Sequence, residues 1–206
     1  MKTALFYCLL AVVPIHASTI FDLGPPNNNA LDMVDSRIAN AFTLASAATI
    51  TDVNFWYQAQ FESDLTNVAY AFYLDSAGTL GSLVTAGTAT PLTSADPNAF
   101  LASFTIPDLS LVSGVYWLEL HAGSSLTSDN GGLTIWWAAT DTSGVYPALT
   151  HSGSGLPDTP MTVPGFQQDA FQLMGTAGAA VPEPSTTLFD AGGLGMILAL
   201  FLKRTS

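Results

Sequence analysis

The sequence predicts an all-β fold, in which a single antiparallel two-sheet sandwich of the jelly-roll kind lies between two apolar ends. Apolar side chains alternate with small or polar ones at a period of two residues, which is typical of strands that bury one face. Gly, Pro, Ser, Thr and Asp separate these short segments, and no convincing helical period lies between the two ends. A chain of 206 residues is long enough for one such domain with a real core.

The alternation predicts eight strands in order, and it suggests how the domain closes. They cover residues 38–44, 53–57, 70–74, 80–84, 100–106, 115–121, 133–138 and 170–174. Pro107 is expected to end the fifth strand and Gly175 the last. The strands around Phe42 and Phe171 are expected to pair, and residues 140–168 are expected to form a long loop.

The first seventeen residues have the order of features found in a secretory signal peptide. Lys2 is followed by an apolar stretch over residues 4–15 and then by the small residue Ala17. The sequence therefore predicts cleavage between Ala17 and Ser18. The single cysteine, Cys8, would be removed with this segment, so the remaining chain would depend on core packing rather than on disulfides.

The last thirty residues contain a second ordered set of signals. A small-residue linker and a Pro-rich motif cover residues 177–187, and an apolar run follows over 188–202. As a helix this run is about 22 Å long, which is short for a bilayer core of about 30 Å but still predicts a transmembrane segment. Residues 203–206 form a basic tail that the positive-inside bias places in the cytoplasm.

These C-terminal features resemble the PEP-CTERM sorting domain of exopolysaccharide-producing Gram-negative bacteria. The matching residues are Val181, Pro182, Glu183, Pro184, Ser185, Thr186, Lys203 and Arg204. The resemblance implies recognition and cleavage by an exosortase-type membrane protease. It implies a single-pass stage at the inner membrane, followed by the cell surface or the extracellular matrix. The strand order also resembles the β-sandwich ectodomains of surface-anchored bacterial proteins.

The charge of the predicted ectodomain, residues 18–176, is almost entirely negative. The chain has a net charge of −12, and Arg37 is the one basic Lys or Arg side chain between the two terminal signals. Such a surface repels nucleic acid and anionic lipid, so a nucleic-acid partner is not expected. The acidity suits an exterior rich in divalent cations or polysaccharide, or it serves solubility alone.

The residues that invite a catalytic or metal assignment lack the spacing that the chemistry requires. His121 and His151 are thirty residues apart, and the Ser-Gly segment after His151 is not a G-x-S-x-G motif. His121 shares a strand face with Glu119, which is expected to be the polar face of a half-buried strand. Residues 75–78 are explained as a hairpin turn, with calcium kept as an alternative, so no cofactor is required. No catalytic residue and no metal ligand is assigned, and the protein is not expected to be an enzyme.

Trp136 and Trp137 supply a candidate ligand platform. Adjacent residues of a strand point to opposite faces, so one of these rings is expected in the core and the other outside or under a loop. An exposed ring can stack on the CH face of a sugar. The sequence therefore predicts an exported, surface-sorted, non-catalytic protein associated with exopolysaccharide or biofilm matrix. The alternative is a carbohydrate-binding, lectin-like module at the cell surface.

Overall fold

The computed structural model describes residues 17–127, 134–152, 155–162, 166 and 168–178. It is all-β, with two antiparallel sheets packed face to face, which confirms the predicted all-β, two-sheet class. The predicted sorting motif, transmembrane helix and basic tail lie outside the described residues, as does the predicted signal peptide up to residue 16.

Thirteen strands lie within the described residues and divide into two sheets. Sheet A contains β1 (Ser18–Asp22), β2 (Ala30–Asp32), β4 (Ala48–Ala59), β7 (Leu92–Ala95), β8 (Phe100–Leu111), β10 (Ile135–Ala138) and β13 (Phe171–Ala177). Sheet B contains β3 (Ser36–Leu44), β5 (Val68–Asp75), β6 (Leu80–Ala89), β9 (Gly114–Ala122), β11 (Leu149–Ser152) and β12 (Thr159–Pro160). A short 3-10 turn covers Glu62–Asp64.

The long strand β4 organises sheet A, because every neighbouring element in the sheet is built outward from it. Strand β8 pairs along one side of β4, while β13 and β10 pair with successive parts of the other side. Beyond these, β1 pairs with β13, β2 with β10 and β7 with β8. In sheet B the order is β12, β11, β3, β9, β5 and β6.

The apolar side chains of the period-two pattern fill the main core between the sheets. On β4 the side chains of Val53, Phe55 and Tyr57 are fully buried, and on β9 Leu118 and Leu120 are fully buried. Burying a side chain of this size stabilises the fold by about 1.5–3 kcal/mol relative to leaving it exposed. These alternations therefore orient both strands, and they place the intervening residues on the outer surfaces of the sheets.

A second, smaller core lies on the outer side of sheet B. It is formed by Ala39, Ala41, Ala71, Tyr73, Trp117 and Leu149, with Leu80, Leu126 and Tyr146 packed against it. Residues 140–148, here called the covering segment, supply Tyr146 to this cluster. Because of this second layer, much of the outer face of sheet B is closed to solvent.

The expected pairing of the strands around Phe42 and Phe171 is wrong. Phe42 lies on β3 in sheet B and Phe171 on β13 in sheet A, and their rings meet across the core at 6.3 Å. The alternation identified both as inward-facing but carried no information on partner strands. The last strand instead pairs with β1, which places Ser18 opposite Gly175. The chain therefore enters and leaves the sandwich at the same end of sheet A.

Two expected strand ends are also wrong. Strand β8 continues through Pro107 to Leu111, because Pro107 falls at an irregularity in the β4–β8 register where a missing N–H costs no ladder bond. Strand β13 continues through Gly175, which lies at a bulge so close to β4 that a Cβ atom would overlap the Thr49 carbonyl oxygen.

Other differences concern the number and length of the strands, since β1, β2 and β7 were not expected and β4 begins at Ala48. Strand β6 extends to Ala89, five residues further than expected. The expected loop 140–168 contains the short strands β11 and β12, since residues 149–152 pair with β3 and add an edge to sheet B.

Candidate functional site

The two adjacent tryptophans of β10 lie on opposite faces of sheet A. Trp137 is fully buried among core rings, and its indole Nε1 donates a hydrogen bond of 3.0 Å to the Ala170 carbonyl oxygen. Trp136 is half-buried on the outer surface. Trp137 is therefore removed from the predicted ligand platform, because its ring is enclosed. Of this pair, only Trp136 presents ring surface to solvent.

A second tryptophan lies beside Trp136 on the outer face of sheet A, here called the open face. Trp136 is opposite Gln58 of β4, and Trp56 is two residues earlier on that strand. Since diagonal neighbours of this kind are about 7–8 Å apart at their Cα atoms, the two indoles share one patch of surface. Trp56 is half-buried, and its Nε1 donates to Asp96 Oδ2 at 3.4 Å. The period-two pattern of residues 53–57 predicted this outward position only indirectly, because it assigned Val53, Phe55 and Tyr57 to the inward face.

A groove of about 610 Å³ with a mixed polar and apolar lining crosses the open face, and Asn54, two residues before Trp56 on β4, is part of its lining. Its polar lining comes from β4, β8, the end of β6 and the crossover between β6 and β7, and consists of Asp52, Asn54, Thr88, Thr90, Ser103 and Thr105. Ser103 is opposite Asn54 and Thr105 is opposite Asp52, so hydroxyl groups stand beside an amide and a carboxylate across adjacent strands. A groove of this volume is within the range of small-ligand sites.

Asp52 is the one acidic side chain that lines this groove within the described residues. Its Oδ1 accepts a hydrogen bond of 2.8 Å from the Thr105 hydroxyl, and its Oδ2 accepts one of 2.7 Å from the Thr51 hydroxyl. These two bonds hold the carboxylate in place on the groove surface. A carboxylate that keeps free lone pairs can still accept hydrogen bonds from ligand hydroxyl or amino groups.

A smaller cleft of about 250 Å³ lies at the other end of β4. Gln58, Asp96, Asn98 and Phe100 line it, and Asp96 is the residue that holds the Trp56 indole. The open face thus presents two half-exposed indoles with polar depressions nearby. Amide, hydroxyl and carboxylate groups of this kind are suited to binding neutral hydroxylated molecules by hydrogen bonds while a ring provides stacking.

On the outer face of sheet B, here called the covered face, the charged side chains are buried. Glu119 is fully buried and accepts from Arg37 Nη2 at 2.9 Å and from the Tyr73 hydroxyl at 2.7 Å. Burial raises the pKa of Tyr73, and its hydrogen bond to Glu119 raises that pKa further. Arg37 Nη1 also donates to the Gly155 carbonyl oxygen at 3.1 Å. This cluster is fully engaged in holding the fold together.

His121 lies on the same covered face and differs from its expected setting. The sequence predicts a half-buried polar strand face for Glu119 and His121, whereas both are almost completely buried. Burial lowers the pKa of His121, so the imidazole is neutral at neutral pH. The signal that sequence reasoning missed is Tyr146, whose ring stacks on Trp117 at 5.9 Å with an interplanar angle of 7° and helps to cover this face.

The hairpin turn at residues 75–78 uses its carboxylate locally. Asp75 Oδ1 accepts hydrogen bonds from the Gly78 N–H at 3.0 Å and from the Trp117 indole at 2.9 Å. Ala77 and Gly78 have φ angles of 55° and 86°, which is the backbone that such a turn requires. Within the described ranges, no three His, Cys, Asp or Glu side chains are grouped so that they could hold a metal ion.

His151 lies at the surface rather than in a catalytic arrangement. Its Nδ1 is 3.3 Å from Asp158 Oδ1, and the two side chains are 35% and 70% exposed. The hydrogen bond from His151 lowers the pKa of Asp158, and a second one from Thr159 adds to the effect. This contact ties β11 to the residues that precede β12.

Comparison with known proteins adds no assignment to this geometry. No protein-family model matches the chain, and no curated protein matches it. In the part of the chain that the structure describes, no helix is long and apolar enough to cross a membrane.

Proposed function

We propose that the protein is exported, sorted to the cell surface and processed at a PEP-CTERM-type signal, and that it serves there as a non-catalytic component of the exopolysaccharide or biofilm matrix. The observation that carries this proposal is the order of the C-terminal features: the motif at residues 181–186, the apolar run and the basic pair Lys203 and Arg204. An exosortase-type membrane protease is the partner that this order implies.

Two features of the fold support the proposal. Strand β1 begins at Ser18, directly after the cleavage point that the sequence predicts. Ser18 also lies opposite Gly175, so the folded body connects to both predicted signals at one end of sheet A. A body arranged in this way can be released or held at one point without disturbing the sandwich.

The proposal is tested in an exosortase-containing host by intact-mass analysis and cell fractionation of the full chain. The expected product lacks residues 1–17 and is cut near the motif. Pro182→Ala combined with Pro184→Ala should leave the C-terminal signal uncut, because the extended shape of the motif depends on both prolines. Pro147→Ala is the matched control, since Pro147 is exposed in the folded body. Recovery from the cytosol with both ends intact would overturn the proposal.

A second candidate function, carbohydrate binding at the cell surface, is favoured by the exposed ring of Trp136. This indole shares the open face with Trp56, and polar depressions lie close to both. The acidic surface disfavours anionic polysaccharides, so the expected ligand is a neutral glycan chain. Rings would stack on the apolar faces of the sugars while Asp52, Asn54 and Ser103 accept or donate hydrogen bonds to the hydroxyl groups.

Binding of the detergent-solubilised full chain to a panel of neutral polysaccharides, with and without calcium, tests this second function. Trp136→Ala should weaken binding about tenfold, which corresponds to about 1.4 kcal/mol of lost stacking. Val112→Ala is the control, because Val112 is 69% exposed and lies outside the groove and cleft. Absence of binding, or equal binding by the Trp136→Ala variant, would remove this function and leave the sorting proposal standing.

A further inference from the structure

Strand β6 is an unusually bare edge of sheet B. It runs for ten residues, Leu80–Ala89, and pairs with β5 alone. Its sequence, LGSLVTAGTA, contains no charged residue and no proline. An edge strand exposes a row of unpaired N–H and C=O groups, and natural proteins usually protect such edges by charge, proline or short length.

The other free edges among the described residues carry that protection. Strand β1 has five residues and ends at Asp22, β2 has three and ends at Asp32, and β12 has two and includes Pro160. Strand β7 has four residues between Pro91 and Asp96, and β8 beyond its β7 partner contains Pro107 and Asp108. Strand β6 is the long exception in this set.

The second half of β6 also has the regular geometry that strand addition requires. The irregularities of the β5–β6 register lie between Phe72 and Asp75, opposite the first half of β6. Five consecutive pairs follow without a shift, from Phe72–Thr85 to Val68–Ala89. Bulges near one end therefore do not protect residues 85–89. The neighbouring Leu83 and Val84 are 57% and 38% exposed, so apolar surface adjoins this edge.

Charge indicates which partner fits. The described residues include thirteen Asp and Glu side chains and one basic Lys or Arg side chain, Arg37, which is buried against Glu119. Two copies of this chain therefore repel over most of their surfaces. The uncharged edge of β6 is a place where two copies can approach without placing like charges opposite each other.

We propose that residues 85–89 of β6 pair antiparallel with the same residues of a second copy, with Gly87 at the two-fold axis. An isologous contact of this kind uses one edge from each copy and closes after two. Two six-stranded B sheets then form one continuous twelve-stranded sheet. The far edge of each sheet is β12, whose two residues and Pro160 do not invite further addition, so the assembly stops at the dimer. This inference does not rest on the sorting signal or on glycan binding, although Thr88 of the paired segment also lines the groove of the open face.

The test measures the mass of the full chain in mild detergent by sedimentation over a concentration series, together with amide hydrogen exchange of residues 85–89. The wild type should form a dimer in which these amides are protected. Ala86→Glu should abolish the dimer, because Ala86 is exposed beside the two-fold axis and the two new carboxylates would be diagonal neighbours on the same face of the joined sheet. Val112→Glu is the control, since it adds the same charge at an exposed site outside β6.

Thr88→Glu, also at an exposed position of β6, provides a second variant, and circular dichroism verifies that each variant folds. A wild-type chain that stays monomeric, or a dimer that survives both substitutions, would overturn the proposal. Protected amides in a monomer would overturn it as well, because another segment of the same chain would then cover the edge. Growth beyond the dimer would contradict the closed pairing.

Discussion

The outer faces of the two sheets are built from the same alternation of residues but differ in their exposure to solvent. On the open face of sheet A, Asp52, Asn54 and Trp56 are half-buried and reach solvent beside a groove. On the covered face of sheet B, Glu119 and Trp117 are fully buried under a second layer of side chains. The difference shows that an outward position in a strand does not imply access to solvent.

This contrast locates the surface on which a ligand can act. The covered face contains the strongest polar cluster of the described residues. In this cluster, however, Arg37 and Tyr73 both donate hydrogen bonds to Glu119. The open face has weaker groups with free bonding capacity. We therefore expect substitutions on the covered face to change stability and substitutions on the open face to change binding.

The largest expected effect follows from neutralising one carboxylate on each face. Glu119→Gln leaves the Arg37 guanidinium buried without a counter-charge, which should cost about 3–5 kcal/mol of unfolding free energy. Asp52→Asn on the open face should cost no more than about 1 kcal/mol, because it removes only charge from two hydroxyl hydrogen bonds. Urea denaturation of both variants measures the difference.

The double variant Arg37→Met with Glu119→Leu distinguishes a lost ion pair from a general packing defect. Replacing both charges by apolar groups should recover much of the stability lost in Glu119→Gln. If Glu119→Gln and Asp52→Asn lowered the free energy of unfolding equally, the two faces would not differ in their contribution to stability.

A smaller effect, of opposite sign, is expected at Asp169, where the chain returns from the covered face to sheet A. Asp169 is fully buried; Asn40 Nδ2 donates to its Oδ2 at 3.0 Å. Burial raises the pKa of Asp169 well above its usual 3.8. The protonated form is therefore favoured in the fold, and its contribution to stability is complete below about pH 4 and is lost as the pH rises through the raised pKa.

Asp169→Asn cannot ionise, so its stability should exceed that of the wild type increasingly as the pH rises above 4. Denaturation midpoints of the two proteins between pH 4 and 8 measure this difference. Parallel curves would mean that Asp169 has the same pKa in the folded and unfolded chains.

The smallest expected effect comes from opening the cover itself. Tyr146→Ala removes the ring that stacks on Trp117 and should cost about 1–2 kcal/mol. Because Trp117 then becomes accessible, acrylamide quenching of tryptophan fluorescence should increase. Tyr146→Phe keeps the ring and is the matched control. Unchanged quenching in Tyr146→Ala would show that other side chains suffice to close the covered face.

The alternation of apolar residues predicted the inward face of β3, β4 and β9, because side chains point to alternate sides of any strand. It also predicted that Trp136 and Trp137 part to opposite faces. The partner of each strand was beyond this reasoning, since pairing joins residues far apart in sequence, as with β1 and β13. The burial of Glu119 and His121 was missed because it depends on residues distant in sequence: Arg37 and Tyr73 bond Glu119, and Tyr146 packs on the neighbouring Trp117.

The position of β13 has a mechanical consequence. This last strand is hydrogen-bonded on both sides, to β1 and to β4. A pull on the C-terminal end of β13 along its own axis is therefore resisted from both sides. Rungs on both sides then carry the force together in shear instead of opening one by one.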